Sequence, residues 1–202
     1  MNGSLRVLAP AKVNLHLAVG SMRSDGYHNV TTVLHALSIH DTVSLADAGD
    51  FTFSCVPDLG LAPGENLAHR AALLMAEHYH RPLDVSVRVE KRIPAGAGLG
   101  GASADAAAVI VGLAAWWGLD AADPVLVAIA RSLGSDVPFF LGGGAALFTG
   151  RGDVLAQRLR PLAAHAVLAQ PAAPVSSADA YRAFDALPSP PARPETPLID
   201  AL

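Results

Sequence analysis

RIPAGAGLGGASADAA, residues Arg92–Ala107, decides how the rest of the chain is read: four glycines fall within positions 96–101, and the sequence then runs directly into alanines. Glycine loses more backbone freedom on folding than any other residue, so such density marks a main chain that turns tightly or lies against a ligand. Upstream, Val85, Val87 and Val89 alternate as in a strand. Downstream, Ser103–Trp117 is rich in helix-forming alanine until Gly118 stops it. The loop therefore joins a strand to a helix N-terminus, where unpaired amides and the positive end of the helix dipole attract phosphate. A glycine turn without a ligand is the competing reading, and the glycine density favours phosphate.

Two common phosphate motifs fit poorly. Gly96, Gly98 and Gly101 formally satisfy G-x-G-x-x-G. A dinucleotide fold then needs a second strand ending in an acid roughly 20 residues on, whereas Ser103–Trp117 reads as one uninterrupted helix and leaves Asp120 no strand to end. The Walker pattern fails because no Gly-Lys-Ser/Thr closes the loop.

With 202 residues, 51% of them hydrophobic, the chain has material for one large domain or one domain and part of another. A formal charge of −4 with only 16% charged residues gives no basic field for a polyanion, which argues against a nucleic-acid partner and for a small molecule. Cys55 is the single cysteine, so no internal disulfide forms, and the start MNGSLRVLAPAK has neither an apolar h-region nor a run of transmembrane length. The expectation is a cytoplasmic protein that does not contact membranes. Oligomeric state has no signature in the sequence.

Val13–Val19, Val30–Leu45 and Phe51–Val56 read as antiparallel strands joined by tight turns. Asn66 is placed to cap a helix through LAHRAALLMAEHYH, and Asp123-Pro124 to open another that ends near Gly134. GSDVPFFLGGGAALFTGRGD, residues Gly134–Asp153, reads as a loop and then a glycine-flanked strand. HAVLAQ (165–170) reads as a strand, Ser177–Leu187 as a helix, and the proline-rich LPSPPARPETP as irregular. Trp116 and Trp117 read as core and boundary residues. The remaining histidines show no H-E-x-x-H or H-x-x-E-H spacing, which gives a metal hydrolase no support.

Three segments together resemble the GHMP kinases. PAGAGLGGASA is similar to that family's second motif, PAKVNLHLAVGSMRSDGYH (Pro10–His28) to its first motif, and Gly134–Asp153 to its catalytic-aspartate segment. Lys12, Asn14 and DGYH mark the branch acting on a cytidine-diphosphate-linked alcohol, where galactokinases and mevalonate kinases would show a Gly-Glu-His element. The resemblance implies an α+β fold: an amino-terminal ATP-binding and catalytic domain over residues 1–160, and the beginning of a second α/β domain over 161–202. It implies ATP-dependent phosphorylation of the 2-hydroxyl of 4-diphosphocytidyl-2-C-methyl-D-erythritol in non-mevalonate isoprenoid biosynthesis, with ATP as cosubstrate and magnesium as ion. The alternatives are a kinase for homoserine or mevalonate, and a nucleotide-binding fragment without catalysis. Some related architectures bind RNA, which the negative charge disfavours.

By that resemblance Pro94, Ala95, Gly96, Ala97, Gly98, Leu99, Gly100, Gly101, Ala102, Ser103 and Ala104 wrap the phosphates of ATP, with Ser103 also a candidate magnesium ligand. Many relatives carry consecutive serines and an asparagine where this chain has Ser103, Ala104 and Asp105. Phosphoryl transfer to an alcohol uses a carboxylate to accept the proton. Asp136 is the candidate, although its position before Val137-Pro138 also suits a helix cap. Lys12 would stabilise the incipient alkoxide, or else be a solvated strand-end ammonium. Asn14, Tyr27 and His28 would hold the cytosine, with Tyr181 as a second aromatic; read locally, Asp25-Gly26 is a turn and Tyr27 and His28 are surface residues. The family's third glycine-rich motif does not appear before residue 202, so the chain reads as a shortened form.

Overall fold

A computed structural model of the chain describes residues 3–169 and 176–187. Its backbone is set by two long strands, β1 (Ser4–Met22) and β2 (His28–Asp47), paired antiparallel from Ser4 opposite Ala46 to Met22 opposite His28. β1 extends well beyond the expected run Val13–Val19, whereas β2 matches Val30–Leu45 to within two residues at each end. The register slips between Pro10 and Lys12 and again between Asn14 and His16. Such bulges re-aim side chains, and here they bracket Lys12 and Asn14.

Along its other pairings β2 is shared. Thr42–Asp47 pair with β4 (Val85–Glu90), and Thr32–His35 pair with β5 (Ala145–Thr149), both antiparallel. β3 (Thr52–Val56) adds to β4, and β6 (Val154–Leu159) to β5, giving six strands in the order β3-β4-β2-β5-β6 with β1 on β2. Between the two shared segments lies Asp41, fully buried.

β3 runs parallel to β4, not antiparallel to its neighbours as the sequence suggested. A short apolar run carries no direction; the crossover does, and α1 (Leu67–Tyr79) supplies it. The Asn66 side chain accepts from the Ala68 amide at its start. β6 was not anticipated, since its residues are largely exposed and give no alternation. The expected strand at 165–170 does not form over 165–169, where Val167 is 96% exposed: an apolar run without a partner strand has no ladder to join. Gln170 and residues 188–197 of the proline-rich run lie outside the described residues.

Helix α2 (Gly101–Trp117) packs on β1 and β2 and against α1, α3 (Pro124–Leu133) and α4 (Val137–Gly142). Its alanines are explained by this central position. At Gly112 a Cβ would come within 2.8 Å of Leu45 Cδ1, and overpacking of this kind costs about 1–3 kcal/mol. Gly118, in the left-handed conformation, donates to Ala114 and Ala115 and ends the helix. α3 has its expected cap, with the Asp123 carboxylate accepting from the Val125 amide.

Residues 137–142, expected as loop, form α4, because Val137, Phe139 and Phe140 bury together and Pro138 suits a first turn. The last described helix, α5 (Ser177–Asp185), starts where expected, with the Ser176 hydroxyl accepting from the Asp179 amide. Trp116 and Trp117 pack at the core boundary.

Candidate active site

β4 delivers the chain into the glycine loop, whose Gly96, Gly98 and Gly100 have φ of 68°, 71° and 72°. Ala97 and Leu99 between them do not have positive φ. Alternating backbone handedness of this kind turns successive amides inward and makes an anion-binding concavity. Only glycine takes the left-handed region without strain, and Gly100 has a second reason to be glycine: a Cβ there would lie 2.9 Å from Phe140 Cζ and 3.0 Å from Lys12 Cγ. The amides of Gly98, Leu99 and Gly100 donate to no protein group among the described residues. No side chain caps α2 at Gly100. Unpaired amides at an uncapped helix start are groups that an anion can satisfy.

The loop is tied to β1 by the Lys12 amide, which donates to the Leu99 carbonyl at 2.9 Å. From the same residue the side chain extends to Asp136, with Nζ 3.4 Å from Oδ2. Lys12 Nζ also donates to Asn14 Oδ1 (2.8 Å), Asn14 Nδ2 to Thr32 Oγ1 (2.8 Å), and Thr32 Oγ1 to the His16 carbonyl (2.8 Å). This chain of donors orients the Asn14 amide and aims the ammonium. Asp136 occupies the N-cap position of α4 yet makes no capping bond. The helix-cap alternative is thereby removed, and the carboxylate faces Lys12. Its side chain is 37% exposed against 9% for Lys12, so the acid is open to solvent while the ammonium is shielded.

His28 lies in a second cluster. Its Nδ1 donates to the Gly20 carbonyl at 2.9 Å, its ring stacks on Tyr181 (5.6 Å, 10°), and Phe184 meets it edge-on at 6.0 Å. His28 Nε2 is 2.9 Å from Asp185 Oδ1, an ion pair when the imidazole is protonated. Burial raises the Tyr181 phenol pKa, with the charge of Asp136 adding to it. Tyr27 stands apart from the stack: its ring, in a residue 53% exposed, carries the Arg151 guanidinium 4.9 Å from its centre. Arg151 was not singled out in the sequence, where it looks like any turn residue between Gly150 and Gly152.

Beneath the glycine loop is a group that the sequence did not reveal. Lys91 Nζ is 2.5 Å from Asp41 Oδ2 and 2.6 Å from Asp105 Oδ2, and all three side chains are buried. Asp41 Oδ1 also accepts the amides of Arg92 and Ile93, the latter at 2.8 Å. Burial pushes the Asp105 carboxyl up to about 7 against the pull of Lys91. Desolvation works against the Lys91 ammonium, but the two carboxylates prevail and raise its pKa. The available signal was Asp105 itself, the lone acid in an otherwise apolar helix.

Ser103, in the first turn of α2, is the one side-chain oxygen between Pro94 and Ala104. Magnesium usually takes one or two protein oxygens and fills its octahedron with phosphate and water, and this sparse donor set fits that habit. Asp105 is engaged with Lys91. Among the described residues no group of three His, Cys, Asp or Glu could hold a metal, and no helix is long and apolar enough to cross a membrane.

Residues 66–144 match the profile of the GHMP kinases N terminal domain. The chain is 46% identical over 188 residues to a 4-diphosphocytidyl-2-C-methyl-D-erythritol kinase of Mycolicibacterium gilvum, covering 92% of this chain and 58% of that protein. The enzyme of the same name from Mycobacterium tuberculosis is 45% identical, with 92% and 59% covered. The chain thus spans under two thirds of the length of the curated relatives it matches. A crystal structure of 4-(cytidine 5'-diphospho)-2C-methyl-D-erythritol kinase superposes with a TM-score of 0.63 at 44% identity, over 79% of this chain and 55% of that one. A homoserine kinase from Cytophaga hutchinsonii (TM-score 0.59, 20% identity, 89% and 59% covered) shares the fold.

Proposed function

The chain belongs to the GHMP kinase family, and from that premise we propose that it serves ATP-dependent phosphorylation of the 2-hydroxyl of 4-diphosphocytidyl-2-C-methyl-D-erythritol, a step of non-mevalonate isoprenoid precursor synthesis. The observation that carries this reading is the meeting of Lys12, Asp136 and the glycine loop at one point, through the 3.4 Å ion pair and the Lys12–Leu99 backbone bond. Relatives of that name at 45–46% identity support the choice of substrate.

In this reading residues 1–160 bind the nucleotide and carry the chemistry, and residues 161–202 begin a second domain. The β- and γ-phosphates lie on the amides of Gly96–Gly101 and the start of α2, with the flanking residues Pro94–Ala104 shaping the cradle. Magnesium would be held by Ser103 and would supply positive charge against the phosphates. Asp136 accepts the proton of the substrate hydroxyl as its oxygen bonds to the γ-phosphorus and ADP departs. Lys12, aimed by Asn14, offsets the charge growing on that oxygen. The cytosine lies among Asn14, Tyr27, His28 and Tyr181.

An ATP-consumption assay with the cytidine diphosphate substrate beside homoserine and mevalonate tests this. Turnover is expected with the first alone. Turnover confined to homoserine or mevalonate would refute the substrate, and ATP binding without turnover on any of the three would leave a nucleotide-binding module.

Tyr27→Ala is expected to weaken binding of the cytidine substrate by about 1–3 kcal/mol, the range for base stacking on an aromatic ring, with ATP affinity unchanged. Calorimetry with each ligand separately gives the comparison. An equal loss for both would make Tyr27 a structural residue braced by Arg151.

A further inference from the structure

We propose that the buried Asp41–Lys91–Asp105 cluster is the positioning device of the phosphate loop, fixing the distance between the exit of β4 and the start of α2 so that the loop amides converge on a single anion. The inference rests on the reading of that loop as an ATP site. Asp41, on β2, holds the amides of Arg92 and Ile93 where the chain leaves β4. Asp105 reaches the same ammonium from the second turn of α2. Both ends of the loop are therefore referred to one atom, Lys91 Nζ. Gly101, the first residue of α2, lies directly against it: a Cβ there would sit 3.2 Å from that nitrogen and 3.1 Å from Ile93 Cγ2.

Stability alone does not account for this arrangement. Two carboxylates and one ammonium are buried together, and Asp105 Oδ1 has no hydrogen-bond partner. Apolar residues of similar volume are often as stable as a buried ion group, or more so. What charged groups add is direction, because the ammonium fixes both carboxylates at hydrogen-bonding distance. Between the two anchors, the backbone bond joining residues 94–100 to another strand is that from Lys12 to Leu99, so misplacing either anchor would spread the amides. None of the three residues touches the phosphates in this reading; they act through the loop.

Asp105→Ala frees α2 from Lys91 while leaving Lys91 paired with Asp41, so no single charge is left without a partner. Using the 202-residue chain, calorimetry should show ATP affinity reduced about tenfold, by analogy with the roughly 10–100-fold loss when the outer-shell partner of an ion-binding group is removed. Affinity for cytidine diphosphate should stay within about twofold, since that pocket is built from other segments. Asp105→Asn, which keeps an oxygen acceptor for Lys91, should recover most of the ATP affinity. Asp105→Leu, which likewise offers Lys91 no acceptor but refills the volume of the carboxylate and leaves Lys91 paired with Asp41, should reproduce the tenfold loss if Asp105→Ala folds poorly. Undiminished ATP binding in whichever of these two is folded would overturn the proposal, as would parallel losses of both ligands tracking a lowered melting temperature. A wild-type chain that binds no ATP would instead remove the reading of the loop on which the proposal stands.

Discussion

Asp136→Asn is expected to lower phosphoryl transfer by about 10²-fold or more while leaving ATP affinity nearly intact. The carboxamide has the shape of the carboxylate, and α4 loses nothing at its start because Asp136 makes no capping bond there. What disappears is the capacity to take the hydroxyl proton. Single-turnover kinetics on a form of the protein that shows activity, beside calorimetry with ATP, separate the two effects. A variant turning over at the wild-type rate would take Asp136 out of the mechanism.

Lys12→Met should cost about 10²–10³-fold in kcat, the usual penalty for removing one group aimed at a developing oxyanion. The methionine fills the channel occupied by the lysine stem, so the folded chain should survive. Asn14 Oδ1 loses its donor, and Asp136, being partly exposed, can rehydrate. If Lys12 and Asp136 act on the same reacting oxygen, as proposed, the double variant should be little worse than the poorer single variant. Multiplying losses in the double variant would mean that the two residues act independently and that the 3.4 Å contact is incidental.

The site was legible where function and local geometry demand the same residue. Gly96, Gly98 and Gly100 had to be glycine for their backbone angles, and the alanines of the helix after them are buried at the centre of the fold, so both features stand out in the sequence. Asn66 and Asp123 were legible as caps because capping is a local bond. Asp41 and Lys91 were not, since each looks like a surface residue until β2 and β4 are placed side by side, and their pairing spans fifty positions. The direction of β3 was hidden for the same reason. The placement of Tyr27 under Arg151, away from the His28–Tyr181 stack, depends on a turn more than a hundred residues later in the chain.

The hydrogen bond from the Lys12 amide to the Leu99 carbonyl gives the two halves of the proposed site a shared structural element through which binding at one could be felt at the other. A nucleotide that draws Leu99 toward its phosphates also draws on the strand that carries Lys12 and Asn14, and a bound acceptor that fixes Lys12 restrains the loop in return. If that shared displacement changes the affinity for one ligand by some factor, linkage requires the same factor for the other. The order in which the two ligands arrive would then alter the rate of assembly of the ternary complex but not its stability, and whichever way one ligand moves the occupancy of the other's pocket, the second would move the first's the same way.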